Sequence, residues 1–192
     1  MNPINAIDFY KAGHVFQYPE KTDLVFSNFT PRKSRIEGID KVVFFGLQYF
    51  MEEYLIRRWN RDFFQKPKSE VVRKYKRIMD NALGKDTVST KHIEELHDFG
   101  HLPLRIMALP EGSRVPIGVP PFVVYNTADF AYWLTNYIET VLSCVLWQPC
   151  TSATIAYEYR KEFMRAAEET GGSKDFVPFQ GHDFSFRGMS SP

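Results

Sequence analysis

Disulfide chemistry, a field of one sign and membrane-length apolar runs are all missing from this chain. It has 2 cysteines, Cys144 and Cys150, too few for a disulfide scaffold, which fits a reducing, cytoplasmic setting. Five residues separate them, a poor match to the short spacing of a zinc knuckle, so they read as structural thiols. The 24 basic and 23 acidic side chains nearly cancel, to a net charge of +1. A protein that blankets nucleic acid carries a larger basic excess, so no nucleic-acid partner is expected, and any phosphate affinity has to come from local sites. The most apolar window, 130–147, contains Asn136 and Glu139. A transmembrane helix needs about 20 nearly uncharged residues, so this window reads as a buried helix and no membrane partner is expected. The first ten residues carry Asp8 and lack the apolar stretch of a secretory leader. Internal repeats, low-complexity tracts, a P-loop, a G-x-G-x-x-G turn and a G-x-S-x-G nucleophile turn are absent too, and with the last of these goes the serine-triad hydrolase class.

What is present is a core-forming composition: 44% hydrophobic and 16% aromatic residues over 192 positions. That is enough for one domain or slightly more, and not a disordered chain. A short helix is expected over 5–18, with Ile7, Tyr10 and Phe16 on the core and Asp8 and Lys11 solvated. Residues 23–30 alternate like a strand, then Pro31 opens a loop carrying Arg32, Lys33 and Arg35. Such a loop is usually solvated but could reach a polyanion. Helical periodicity runs over 41–59, 67–83 and 87–99, with Gly84 and Gly100 as stops. The 100–127 stretch, with short apolar runs between prolines and glycines, reads as a small β unit. Asn126 and Thr127 are expected to cap a helix over 128–147, a second helix covers 152–170, and 176–179 looks strand-like. The fold class is therefore mixed α/β (α+β), divided into 1–100, a helix and strand domain, and 101–192, with the β unit and two long helices.

Chemistry concentrates in 181–191. Here His182, Asp183, Phe184, Phe186, Arg187, Ser190 and Ser191 fall between and beside glycines. Aromatic faces can stack on a flat heterocycle, and a guanidinium suits phosphate or pyrophosphate. A buried connection with both phenylalanines in the core explains the same residues equally well. His92, His97 and His101 have a metal-like look, but no carboxylate stands in the H-E-x-x-H sense and Gly100 interrupts the helix, so a zinc site is not expected.

Seven stretches, in order, resemble the nicotinamide phosphoribosyltransferase family. They are Asp8-Phe9-Tyr10-Lys11 with His14 and Gln17-Tyr18-Pro19; Phe44-Phe45-Gly46-Leu47-Gln48-Tyr49; Gly100-His101-Leu102-Pro103; Pro110-Glu111-Gly112; Asn126-Thr127; Tyr132-Trp133-Leu134-Thr135-Asn136 with Ile138-Glu139-Thr140; and His182-Asp183-Phe184 with Arg187-Gly188 and Ser190-Ser191. The resemblance implies the N-terminal domain and the start of the β/α-barrel-like core of a type II phosphoribosyltransferase, truncated. It also implies the joining of nicotinamide to phosphoribosyl pyrophosphate, giving nicotinamide mononucleotide and pyrophosphate, with Mg²⁺ accompanying the pyrophosphate. Phe184 would stack on one face of the nicotinamide ring, and Tyr10 from the partner subunit of a homodimer would cover the other. Asp8 would support Tyr10, Arg187 would contact the phosphate groups, and Arg32, with Lys33 beside it, would reach the phosphate region across the dimer. Phe9 and Phe186 depart from the residues common in the family. Family chains are more than twice as long, with much of the catalytic equipment downstream, so little activity is expected of this portion alone. A nicotinate-specific variant and a non-catalytic binding or dimerisation module are the alternatives.

Overall fold

The structure is a computed structural model that describes residues 2–188; the side chains of Ser185 and Phe186 lie outside that description. A three-stranded antiparallel sheet and a two-stranded ribbon pack against helices. Strand β1 (Phe26–Phe29) is the first alternating segment. It does not pair with a sequence neighbour. Its partner is β5 (Phe122–Asn126), which lies between it and β3 (Leu104–Ala108). Strands β2 (Lys41–Val43) and β4 (Arg114–Pro116) make the ribbon. The expected division at 100/101 thus runs through both sheets, and one core cluster takes side chains from both sides, including Phe44, Trp59, Phe122 and Leu146.

The short helix α1 (Lys11–His14) follows a 3₁₀ turn at Pro3–Asn5. Its packing follows the periodicity argument only in part: Ile7 packs on the core and Asp8 is exposed as expected, but Tyr10 and Phe16 are exposed, Lys11 is buried, and Ile4 and Ala12 supply further core contacts. The 41–59 helix is corrected at its start. Residues 41–43 form the ribbon, Gly46 turns the chain at φ +102°, and only then does α2 (Leu47–Phe50) begin. The helix continues with π-type winding over Met51–Arg58 and Asn60–Phe64, shown by the Gln65 N–H donating five residues back to the Asn60 carbonyl. The Glu111 carboxylate accepts from the N–H groups of Gly46 (3.1 Å) and Gln48 (2.8 Å), a charge-complementary cap on the positive end of α2. Helices α3 (Lys68–Leu83) and α4 (Lys91–Phe99) follow the expected periodicity, burying Val71, Tyr75 and Met79, and Ile93 and Leu96.

The C-terminal half departs furthest. After a 3₁₀ turn at Asp129–Ala131 and the short α5 (Leu134–Tyr137) comes a single helix, α6 (Glu139–Thr170), of 32 residues. The two expected helices are one, passing through Pro149. Proline in a helix interior removes one hydrogen bond and crowds the preceding turn. Here its ring is received at Gly46, where an added Cβ would lie 3.0 Å from the Pro149 Cβ. Asn126 does not cap a helix. It is buried at the end of β5, accepting from the Val25 N–H (2.8 Å) and donating to the carbonyls of Asp23 (2.6 Å) and Ala128 (2.9 Å). Residues 176–179 are not a strand but the end of a 3₁₀ turn, Lys174–Phe179, with Val177 buried. Among the described residues no helix is long and apolar enough to cross a membrane.

Candidate functional site

Helix α6 organises the candidate residues by placing them at its two ends. At its N-terminal end the segment 8–11 is tied down twice. The Asp8 N–H donates to the Thr140 hydroxyl (3.0 Å), and that hydroxyl donates to the Asp8 carboxylate (2.8 Å). Lys11 forms an ion pair with Glu139 in the first turn of α6. Between these anchors Tyr10 projects outward, 58% exposed. The His14 ring meets it edge-on at 4.9 Å, and the Lys11 ammonium lies 5.3 Å from its centroid.

Toward the other end, the chain after α6 turns back along the helix. A groove of about 590 Å³ opens between them, lined by Tyr159, Arg160, Phe163, His182, Asp183 and Phe184 among others. Gly181 packs tightly on the helix: a Cβ there would sit 3.0 Å from a ring carbon of Phe163, which would have to give by a few tenths of an ångström. Phe184 is 61% exposed, so the buried-connection reading of this residue fails. The Arg187 guanidinium lies 5.0 Å from its ring centroid, within cation–π range. The guanidinium stands over the ring, so a cation and an aromatic group are presented together. Ser190 and Ser191, and the side chain of Phe186, lie outside the described residues.

The structure therefore brings Asp8 together with Tyr10, and Phe184 together with Arg187, but not the two pairs with each other. From Thr140 to the groove-lining stretch 152–163 is roughly 20–35 Å at 1.5 Å per helical residue. Arg32 is in neither place. It is exposed on the loop after β1, and Lys33 and Arg35 of that loop line a neighbouring groove of about 540 Å³ with Trp147 and with Ile155, a residue of α6 that also lines the Phe184 groove.

The histidines scatter. His92 is buried edge-on against Trp133 (4.9 Å), Tyr75 (5.9 Å) and Phe16 (6.0 Å). Burial pushes its pKa down to about 4, because no group there compensates the charged form. The His97 Nε2 contacts the Lys66 carbonyl at 2.9 Å, and His101 packs on Phe99. No group of three or more His, Cys, Asp or Glu that could hold a metal exists among the described residues. Mg²⁺ held chiefly by pyrophosphate oxygens requires no such cage. Cys150 is buried, its thiol donating to the Phe45 carbonyl (3.3 Å), and its pKa is raised by burial; Cys144 is exposed. The residues that sequence reasoning passed over are Lys11, Glu139 and Thr140. All three sit in the quoted motifs, but a lysine beside an aspartate reads as solvent-facing until a partner 128 positions away is known.

Residues 2–106 match the profile of the nicotinamide phosphoribosyltransferase N-terminal domain. The nicotinamide phosphoribosyltransferase of Acinetobacter baylyi is 56% identical over 195 aligned positions, covering 99% of this chain and 39% of that protein. The enzyme of the same name from Xanthomonas campestris is 32% identical, covering 96% of this chain and 37% of its own length. The chain thus spans about two fifths of these relatives. The crystal structure of human nicotinic acid phosphoribosyltransferase superposes with a TM-score of 0.59 at 21% identity, over 81% of this chain and 28% of that one. At that identity the likeness is one of fold, and it agrees with the mixed α/β class.

Proposed function

The chain belongs to the nicotinamide phosphoribosyltransferase family, in its N-terminal part, and from that premise we propose that it supplies one portion of a composite site joining nicotinamide to phosphoribosyl pyrophosphate. The observation that carries this reading is the open groove that Phe184 lines, with the Arg187 guanidinium 5.0 Å from that ring's centroid. The pyridine nitrogen attacks the anomeric carbon, and pyrophosphate leaves with the electron pair of the broken C–O bond. Phe184 stacks on one face of the ring, and Arg187 offsets charge on the phosphate groups. Tyr10, set by Asp8, covers the other ring face in a second copy of the chain, because within one copy it lies too far away. Arg32 reaches the phosphate region from that same second copy. Mg²⁺, when bound with pyrophosphate, neutralises the leaving group.

The test is a hybrid enzyme. This chain replaces the matching 39% of the Acinetobacter baylyi relative, and nicotinamide mononucleotide formation is followed with nicotinamide or nicotinate as acceptor. The proposal expects turnover with nicotinamide that falls at least about tenfold in Phe184→Ala and in Arg187→Ala, and little or none from the chain alone. A folded hybrid that ignores both substitutions, or that prefers nicotinate, contradicts it.

A further inference from the structure

The least expected side chain is Lys11. It is 4% exposed, on a helix of four residues, next to a tyrosine that faces solvent. Burying an ammonium is costly unless it is paired and hydrogen-bonded. Its partner Glu139 is 57% exposed and stands in the first turn of α6, where the helix dipole favours a carboxylate. Core packing does not need this arrangement, since an apolar side chain fills the same space without the desolvation cost. The Asp8–Thr140 pair repeats the pattern on the other side of Tyr10, with both partners hydrogen-bonding in both directions. Two anchors at positions 8 and 11 grip two consecutive residues of one long helix, and the residues they bracket are Phe9 and Tyr10, the more exposed of the two being Tyr10.

Resting on the nicotinamide-stacking role given to Tyr10, we propose that Lys11, Glu139 and Thr140 are positioning residues that hold the Tyr10 ring in one orientation for the flat substrate ring. The anchors fix the backbone on both sides of Tyr10. The Lys11 ammonium and the His14 edge occupy the ring's near surroundings, leaving its outer face presented. Tyrosine has only two side-chain torsions, so a fixed backbone fixes most of the ring's position. The consequence is kinetic: loosening the clamp weakens capture of the flat ring and leaves phosphoribosyl pyrophosphate untouched.

The discriminating variant is Thr140→Val, which keeps shape and removes the hydroxyl, with Thr140→Ser as the rescue and Lys11→Met as the second lesion. Amide hydrogen exchange in this chain and steady-state kinetics in the hybrid enzyme are read together. Thr140→Val speeds exchange at residues 8–11 and raises KM for nicotinamide about 3- to 10-fold, the range of one aromatic contact. KM for phosphoribosyl pyrophosphate and kcat stay within about twofold, and Thr140→Ser restores both readouts. Faster exchange with an unchanged KM for nicotinamide overturns the proposal and leaves a purely structural clamp. Tyr10→Ala, run alongside, separates the layers. If it too leaves KM unchanged, the stacking role itself fails and the clamp has nothing to position.

Discussion

The two ends of α6 are built from the same kinds of residue and held in opposite ways. At the N-terminal end, polar groups are paired: buried Lys11 with half-exposed Glu139, exposed Asp8 with Thr140, and the buried Tyr137 hydroxyl donating to the Ile4 carbonyl at 2.7 Å. Toward the C-terminal end, aromatic groups are left in solvent: Tyr159, Phe176, Phe179 and Phe184 are all exposed, and Val177 is the buried anchor of the segment that returns along the helix. A buried, paired lysine at one end and a run of exposed aromatics at the other is not what hydropathy alone gives, although Phe9, Tyr10 and Phe16 are exposed at the first end too. A monomer rarely exposes so many large apolar side chains in one neighbourhood without something to cover them. Polar contacts fix the 8–11 segment at the N-terminal end, and an aromatic-lined groove stays open along the later turns.

The largest effect that would break this comparison is in the core beneath the pinned end. Leu146 is fully buried, and Leu146→Ala is expected to cost about 2–5 kcal/mol in urea unfolding. Acid is next. His92 is neutral in the folded chain, with its pKa pushed down to about 4, while the unfolded chain binds its proton near the ordinary histidine value. Between the two the unfolded state holds more protons, so stability falls as pH drops from about 6.5 to 4, by roughly 3 kcal/mol in all. His92→Gln should flatten unfolding free energy across that window; an unchanged slope would assign the acid sensitivity elsewhere.

Much of this architecture is legible in sequence, and where it is not the reason is physical. Helices α3 and α4 and strands β3 and β5 follow from period and punctuation because each satisfies its own pattern locally. Pro149 reads as a break because the cost of proline in a helix is local, whereas its accommodation at Gly46 comes from a residue about a hundred positions away. Lys11 reads as solvated for the same reason. Phe184 and Arg187 are given their roles only through the resemblance. Their adjacency is local, three residues apart across a 3₁₀ turn, whereas their distance from Tyr10 depends on the length and continuity of α6.

Smaller effects sharpen the contrast. Glu139→Gln leaves the Lys11 ammonium buried with a weaker partner, and about 1–2 kcal/mol of stability should go, less than for a fully buried pair because Glu139 is half in water. Smallest is Phe179→Ala, at a residue 67% exposed, where unfolding should change by no more than about 0.5 kcal/mol. A large loss there would mean the C-terminal aromatics hold the fold together and do not wait for a partner.

In the proposed site Tyr10 and Phe184 complete one ring slot only between two copies of the chain. Mixing two crippled hybrids, Tyr10→Ala and Phe184→Ala, tests it most directly. Random pairing makes about half the dimers mixed, each with one intact slot and one doubly damaged slot, so about a quarter of the unmodified activity should return. Activity that stays at the average of the two variants alone would contradict the account, placing both rings in a slot built by a single chain.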